Sequence, residues 1–71
     1  MSTVILTSRE IAAVSYDDAA ARLQVELRKG GLYEVIDVPE PVFHKLCTSP
    51  SPGTYFHLHI RKGGYNIRRL R

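Results

Sequence analysis

The chain has 71 residues with 44% hydrophobic and 24% charged side chains, a single cysteine and a formal net charge of +3. That length holds one small domain, near the size at which one core only just suffices, and the composition excludes a disordered chain. Cys47 has no partner for an internal disulfide, and the apolar run Val4-Ile5-Leu6 is far too short to span a membrane.

After that apolar, β-branched start, Thr7-Ser8-Arg9-Glu10 breaks the pattern. Ile11 to Tyr16 reads as a strand, because it is short, carries Ile and Val, and ends on the turn-forming Asp17-Asp18. Arg22 to Arg28 has the cleanest pattern in the chain. Leu23, Val25 and Leu27 alternate with Arg22, Gln24, Glu26 and Arg28, the period of a strand with one buried face. Lys29-Gly30-Gly31 supplies a hairpin turn, and the next strand runs from Leu32 to Val38. The register of this pair is open. A two-residue turn faces Leu32, Ile36 and Val38 toward the core, whereas a three-residue turn with a bulge faces Tyr33 and Val35 there.

Pro39 suits the first turn of a helix, and Glu40 complements the helix dipole there. Val42, Phe43, Leu46 and Cys47 recur at helical spacing, and Thr48-Ser49-Pro50 stops the element. Ser51-Pro52 signals a second helix start. Residues Thr54 to Ile60 are ambiguous: Phe56, Leu58 and Ile60 alternate as in a strand, while the Ser-Pro start favours helix. Lys62-Gly63-Gly64 breaks this element, and Tyr65 to Arg71 reads as a basic end or a short strand. The echo between Arg28-Lys29-Gly30-Gly31 and Arg61-Lys62-Gly63-Gly64 reads as two turns, not a repeat.

Charge is unevenly distributed. Arg61, Lys62, Arg68, Arg69 and Arg71 occur without any acidic residue after Ile60, whereas residues 1–60 hold five basic and all seven acidic side chains. A basic segment of this kind attracts polyanions by releasing their counterions, and Tyr65 within it offers a ring for a base to stack on. The competing reading is a solvated face with Tyr65 packed on the sheet. His57 and His59, with His44 and Cys47, have the residue types of a metal site, but two histidines two apart on a helix do not share a face. Nothing in the spacing of Cys47, His44 and Asp37 assembles a nucleophile with its base.

The order Ile11-Ala12-Ala13-Val14-Ser15-Tyr16-Asp17, Gly31-Leu32-Tyr33, Asp37-Val38-Pro39, Ser51-x-Gly53-x-Tyr55-Phe56 and Ile60-Arg61 resembles the KTSC domain, a small module at the C-terminus of some lysyl-tRNA synthetases that also occurs as stand-alone bacterial proteins. The resemblance runs from about Ser8 to Leu70. It implies that Ser51 to Ile60 is helical, and RNA binding is suspected of the family from its attachment to a synthetase. Tyr33-Glu34-Val35 stands where the family has Tyr-x-Tyr, and an aliphatic second position fits the register that buries Tyr33 and Val35.

These readings predict an α+β fold: a three-stranded antiparallel β-meander followed by two short α-helices packed on one face, with residues 1–71 as one domain. The expected function is a small non-catalytic module without cofactor or metal. It would bind tRNA or another structured RNA through Arg61, Lys62, Tyr65, Arg68, Arg69 and Arg71, with Arg9 or Arg28 as additions. The alternative is a protein-interaction or self-associating module that uses a sheet face or edge. One cysteine without a secretory leader pattern gives a cytoplasmic location as the expectation, with no membrane contact.

Overall fold

A computed structural model describes residues 2–71; Met1, included in the one-domain reading, lies outside the described residues. Strands β1 (Ser2–Ile5), β2 (Ile11–Asp17), β3 (Arg22–Leu27), β4 (Leu32–Ile36) and β5 (Asn66–Arg69) form one antiparallel sheet in the order β1-β2-β3-β4-β5. Between β4 and β5 lie α1 (Glu40–Thr48) and α2 (Pro52–Tyr55), and α2 runs directly into a π-helical segment, Phe56–Arg61.

The α+β class holds, but the three-stranded meander is corrected to a five-stranded sheet. The two additional strands are its edges, where one flank has no partner and little surface is buried. Val4 in β1 and Ile67 in β5 are only partly buried, and the other residues of both strands are exposed. Half-buried alternation therefore never develops in them. The helices also do not follow the sheet. They interrupt it, and the chain returns to place β5 beside β4, where Leu70 N–H continues the pairing to the Leu32 carbonyl at 2.7 Å.

The central hairpin has the register that buries Val35. Leu23 faces Val35 and Val25 faces Tyr33 across β3 and β4. The turn spans three residues, with Leu27 N–H donating to the Gly31 carbonyl at 3.0 Å. Gly30 and Gly31 both hold φ near +100° (103° and 102°), which an L side chain adopts only with strain. Val35 is fully buried. Tyr33 shares its face but is only half-buried, so it does not fill the core as that register implied.

Val14, Tyr16, Leu23, Val25 and Val35 from the sheet join Phe43, Leu46, Phe56 and Ile60 from the helical side in one core. Tyr16 ties the two together. Its ring stacks on Phe43 with centroids 5.0 Å apart, and its hydroxyl donates to the Val38 carbonyl at 2.6 Å, just before α1. Burial, assisted by the negative charges of Asp18, Glu40 and Asp17, pushes the Tyr16 phenol above its ordinary value. Pro39 occupies the N-cap of α1, and Pro41 is the proline in its first turn. The helical reading of Ser51 to Ile60 is correct: Phe56 and Ile60 are buried while Leu58 is 54% exposed, so the alternation there has no structural meaning.

Candidate nucleic-acid interface

Alternation along β5 sends its arginines to opposite faces of the sheet. Arg68 pairs with Glu34 and Arg69 with Tyr33. Glu34 is buried at 6% exposure on the face away from the helices, where Arg68 Nη2 donates to its Oε1 at 3.1 Å and Arg22 approaches to 3.9 Å. A buried carboxylate needs such partners, because an unpaired one costs several kcal/mol. Arg71 pairs with Glu26 at 3.5 Å. Arg68 and Arg71 therefore each have a carboxylate beside them, buried for Arg68 and exposed for Arg71.

Arg61 and Arg69 meet on the other face. Both guanidinium carbons lie 5.9 Å from the centroid of the Tyr33 ring, within range of cation–π attraction. Lys62 is exposed at the end of the π-helical segment. Among the described residues no acidic side chain pairs with Lys29, Arg61, Lys62 or Arg69, although Arg69 Nε donates to the Arg71 main-chain oxygen at 2.7 Å. Tyr65 is half-buried and packs against the core. Arg28, weighed as an addition, is bound to the protein's own backbone, donating from Nη2 to the Leu6 carbonyl at 2.7 Å and from Nε to the Ser8 carbonyl. Arg9 is exposed.

Beside this cluster is a groove of about 370 Å³, lined by Glu10, Leu27, Lys29, Phe56, His57 and Arg61. The two Arg-Lys-Gly-Gly turns supply Lys29 and Arg61 to its walls, although their echo in the sequence pointed to turns alone. The π-helical segment helps to shape it. Its wider turn closes with Lys62 N–H on the His57 carbonyl at 3.2 Å, and it buries Phe56 and Ile60 while His57 and Arg61 reach the groove. Glu10, its side chain 54% exposed, has three neighbours that bear on its position. The Ser8 hydroxyl accepts the Glu10 and Ile11 amides at 3.1 and 3.2 Å, and His57 Nε2 lies 3.1 Å from Glu10 Oε2. The third support is Gly53, where an added Cβ would come within 2.9 Å of the Glu10 carboxyl carbon. Lys29 and Glu10 were absent from the interface expected from sequence, and Tyr33 was read there as a core residue. Only the register of the β3–β4 hairpin and the return of β5 bring Tyr33 to Arg69.

The histidines do not assemble. His44 lies 3.3 Å from Glu40, His57 is with Glu10, and His59 packs against Tyr55 with ring centroids 4.6 Å apart. Among the described residues no three His, Cys, Asp or Glu side chains are grouped to hold a metal ion. Burial pushes the Cys47 thiol up, away from the thiolate that nucleophilic chemistry uses. Among the described residues no helix is long and apolar enough to cross a membrane.

Fold and side chains together define a small α+β module, an antiparallel meander with a helical layer inserted before its last strand. The model of the KTSC domain family matches residues 7–65, and the chain belongs to that family. Among solved structures it is similar to a KTSC domain protein from Yersinia pestis, at 26% identity and a TM-score of 0.89, over 99% of this chain and 97% of that one. A comparison with curated proteins found no match. The chain is thus a small KTSC-domain module.

Proposed function

We propose that this module, acting as one domain over its full length, binds RNA through the cations that no carboxylate neutralises. The observation that supports this reading is that Arg61 and Arg69 lie over Tyr33 and that they, Lys29 and Lys62 have no acidic side chain as partner, while Arg68, Arg71 and Arg22 approach one. Unpaired cations exchange condensed counterions for phosphates, and an aromatic ring among guanidinium groups suits a base or ribose. Arg61, Lys62 and Arg69 make the principal phosphate contacts. Arg68 and Arg71 contribute less, because Glu34 and Glu26 compete for them. Tyr65 supports the strand that carries Arg69 and stacks no base. The test is fluorescence anisotropy against tRNA and single-stranded RNA across a salt series. Four contacts give a log–log slope of about −3 on single strands. Affinity independent of salt, or no binding at all, defeats the proposal.

A second reading rests on β1. This edge strand carries no charged residue, and its Ile5 is 76% exposed, whereas the opposite edge, β5, carries Arg68 and Arg69. Uncharged edges pair with other strands, and charged ones resist it. Self-association through β1 raises the sedimentation mass with concentration, and Ile5→Lys abolishes the rise. A mass that stays monomeric at millimolar concentration removes this reading.

A further inference from the structure

Resting on the RNA reading above, we infer that the groove beside Tyr33 seats one unstacked guanine of a single-stranded RNA. The groove combines surfaces that are rarely adjacent. Leu27 and Phe56 give it an apolar floor, Lys29 and Arg61 stand on its rim as cations, and Glu10 with His57 forms a polar wall. Its volume of about 370 Å³ falls in the range of sites that hold small ligands. A nucleotide has the same three parts: flat apolar ring faces, a hydrogen-bonding edge and a phosphate. A ring face can lie against the half-buried Leu27, with Phe56 only 2% exposed beneath it, and the flanking phosphates match Lys29 and Arg61. A base inside a duplex cannot enter, because both its faces are stacked and its edge is paired.

The polar wall selects the base. An ionised carboxylate only accepts hydrogen bonds. Guanine alone presents two donors side by side on its pairing edge, the ring N1–H and the exocyclic amino group. Adenine and cytosine set an amino group beside a ring-nitrogen lone pair, and uracil sets its one N–H between two carbonyl oxygens. Each of these turns a lone pair toward Glu10. The Ser8 turn holds the Glu10 backbone, and the carboxylate, although 54% exposed, has His57 Nε2 at 3.1 Å and the bare Cα of Gly53 beside it.

The test uses the full chain and labelled pentaribonucleotides UUGUU, UUAUU, UUCUU and UUUUU in anisotropy titrations at low salt. UUGUU is expected to bind about tenfold more tightly than the other three, the low end of what a bidentate base contact discriminates. Glu10→Gln should erase that preference, so that UUGUU binds no more tightly than UUUUU to the same variant, while Lys29→Gln should weaken all four to a similar extent, about threefold to fivefold. Amide shift mapping with guanosine 5′-monophosphate on the parent protein should move Leu27, His57 and Arg61, a readout that does not depend on any variant folding. Equal affinity for all four oligomers, or a guanine preference that survives Glu10→Gln, overturns the seat and leaves the RNA reading standing. Shifts confined to the Arg68 and Arg71 face also overturn it. Failure of every oligomer to bind overturns both.

Discussion

Removing Arg68 should destabilise the protein before it affects any ligand. Its guanidinium is the nearest partner of Glu34, whose side chain is only 7% exposed, and Arg68→Ala leaves Arg22 at 3.9 Å as the sole remaining cation. Truncating one partner of a fully buried ion pair costs roughly 3–5 kcal/mol. Here Arg68 is itself 61% exposed and Arg22 persists, so solvent and the second cation absorb more than half of that. The expected loss is about 1.5 kcal/mol. For a domain of this size it lowers the melting temperature by roughly 6–12 °C. Urea denaturation followed by circular dichroism measures it. Lys62→Ala, at an exposed position, serves as the comparison and should stay within about 0.5 kcal/mol of the parent. Adding Glu34→Gln to Arg68→Ala should recover much of the loss, because the stranded charge is then gone. If Arg68→Ala matches Lys62→Ala, the pairing of Glu34 carries no stability and the division of the arginines into structural and free sets is wrong. A charge reversal at Arg68 would for the same reason report on folding more than on RNA.

Tyr16→Phe orphans the buried Val38 carbonyl and should cost about 1–2 kcal/mol in the same assay. The Tyr16 phenol lies above its ordinary 10.0 when folded, so the unfolded chain releases that proton first as pH rises; the stability is full below about pH 10 and declines above it. The Phe variant should show a shallower decline between pH 9.5 and 11.5, with tyrosinate absorbance as the check. An added Cβ at Gly63 would stand 2.2 Å from the His59 carbonyl oxygen, whereas Gly64, at φ 86°, has open space around it. Gly63→Ala should therefore cost about 2–3 kcal/mol through displaced backbone, and Gly64→Ala about 1 kcal/mol through strain alone. Equal losses in thermal melts would contradict that geometry.

The central hairpin and α1 were legible because their residues alternate or recur against a buried face. Leu23 and Val25 are fully buried on β3, and Phe43 and Leu46 are buried on α1. β1 escaped, and β5 stayed open between a basic end and a short strand, because an edge strand is specified by its neighbour's free backbone groups more than by its own side chains. Residues 54–60 were ambiguous by pattern, since Phe56, Leu58 and Ile60 fit strand alternation yet only Phe56 and Ile60 face inward, and it was the family resemblance that favoured helix. The candidate interface was half legible. Clustering of basic residues after Ile60 was visible, but their division was not, because it depends on which β5 residue opposes Glu34 and which opposes Tyr33. Lys29 and Glu10 lie far from that segment in the chain, and only the folded turn and helix bring them beside Arg61.

The most direct test of the account is tRNA affinity for two double variants that remove equal charge. Arg61→Gln/Arg69→Gln removes free cations at Tyr33, and Arg9→Gln/Lys45→Gln removes cations elsewhere. The account predicts that the first loses about tenfold or more in affinity near 100 mM salt and shrinks the salt slope by about 1.5, while the second stays close to the parent. If the two variants bind alike, with the same slope, the attraction belongs to net charge and not to this face.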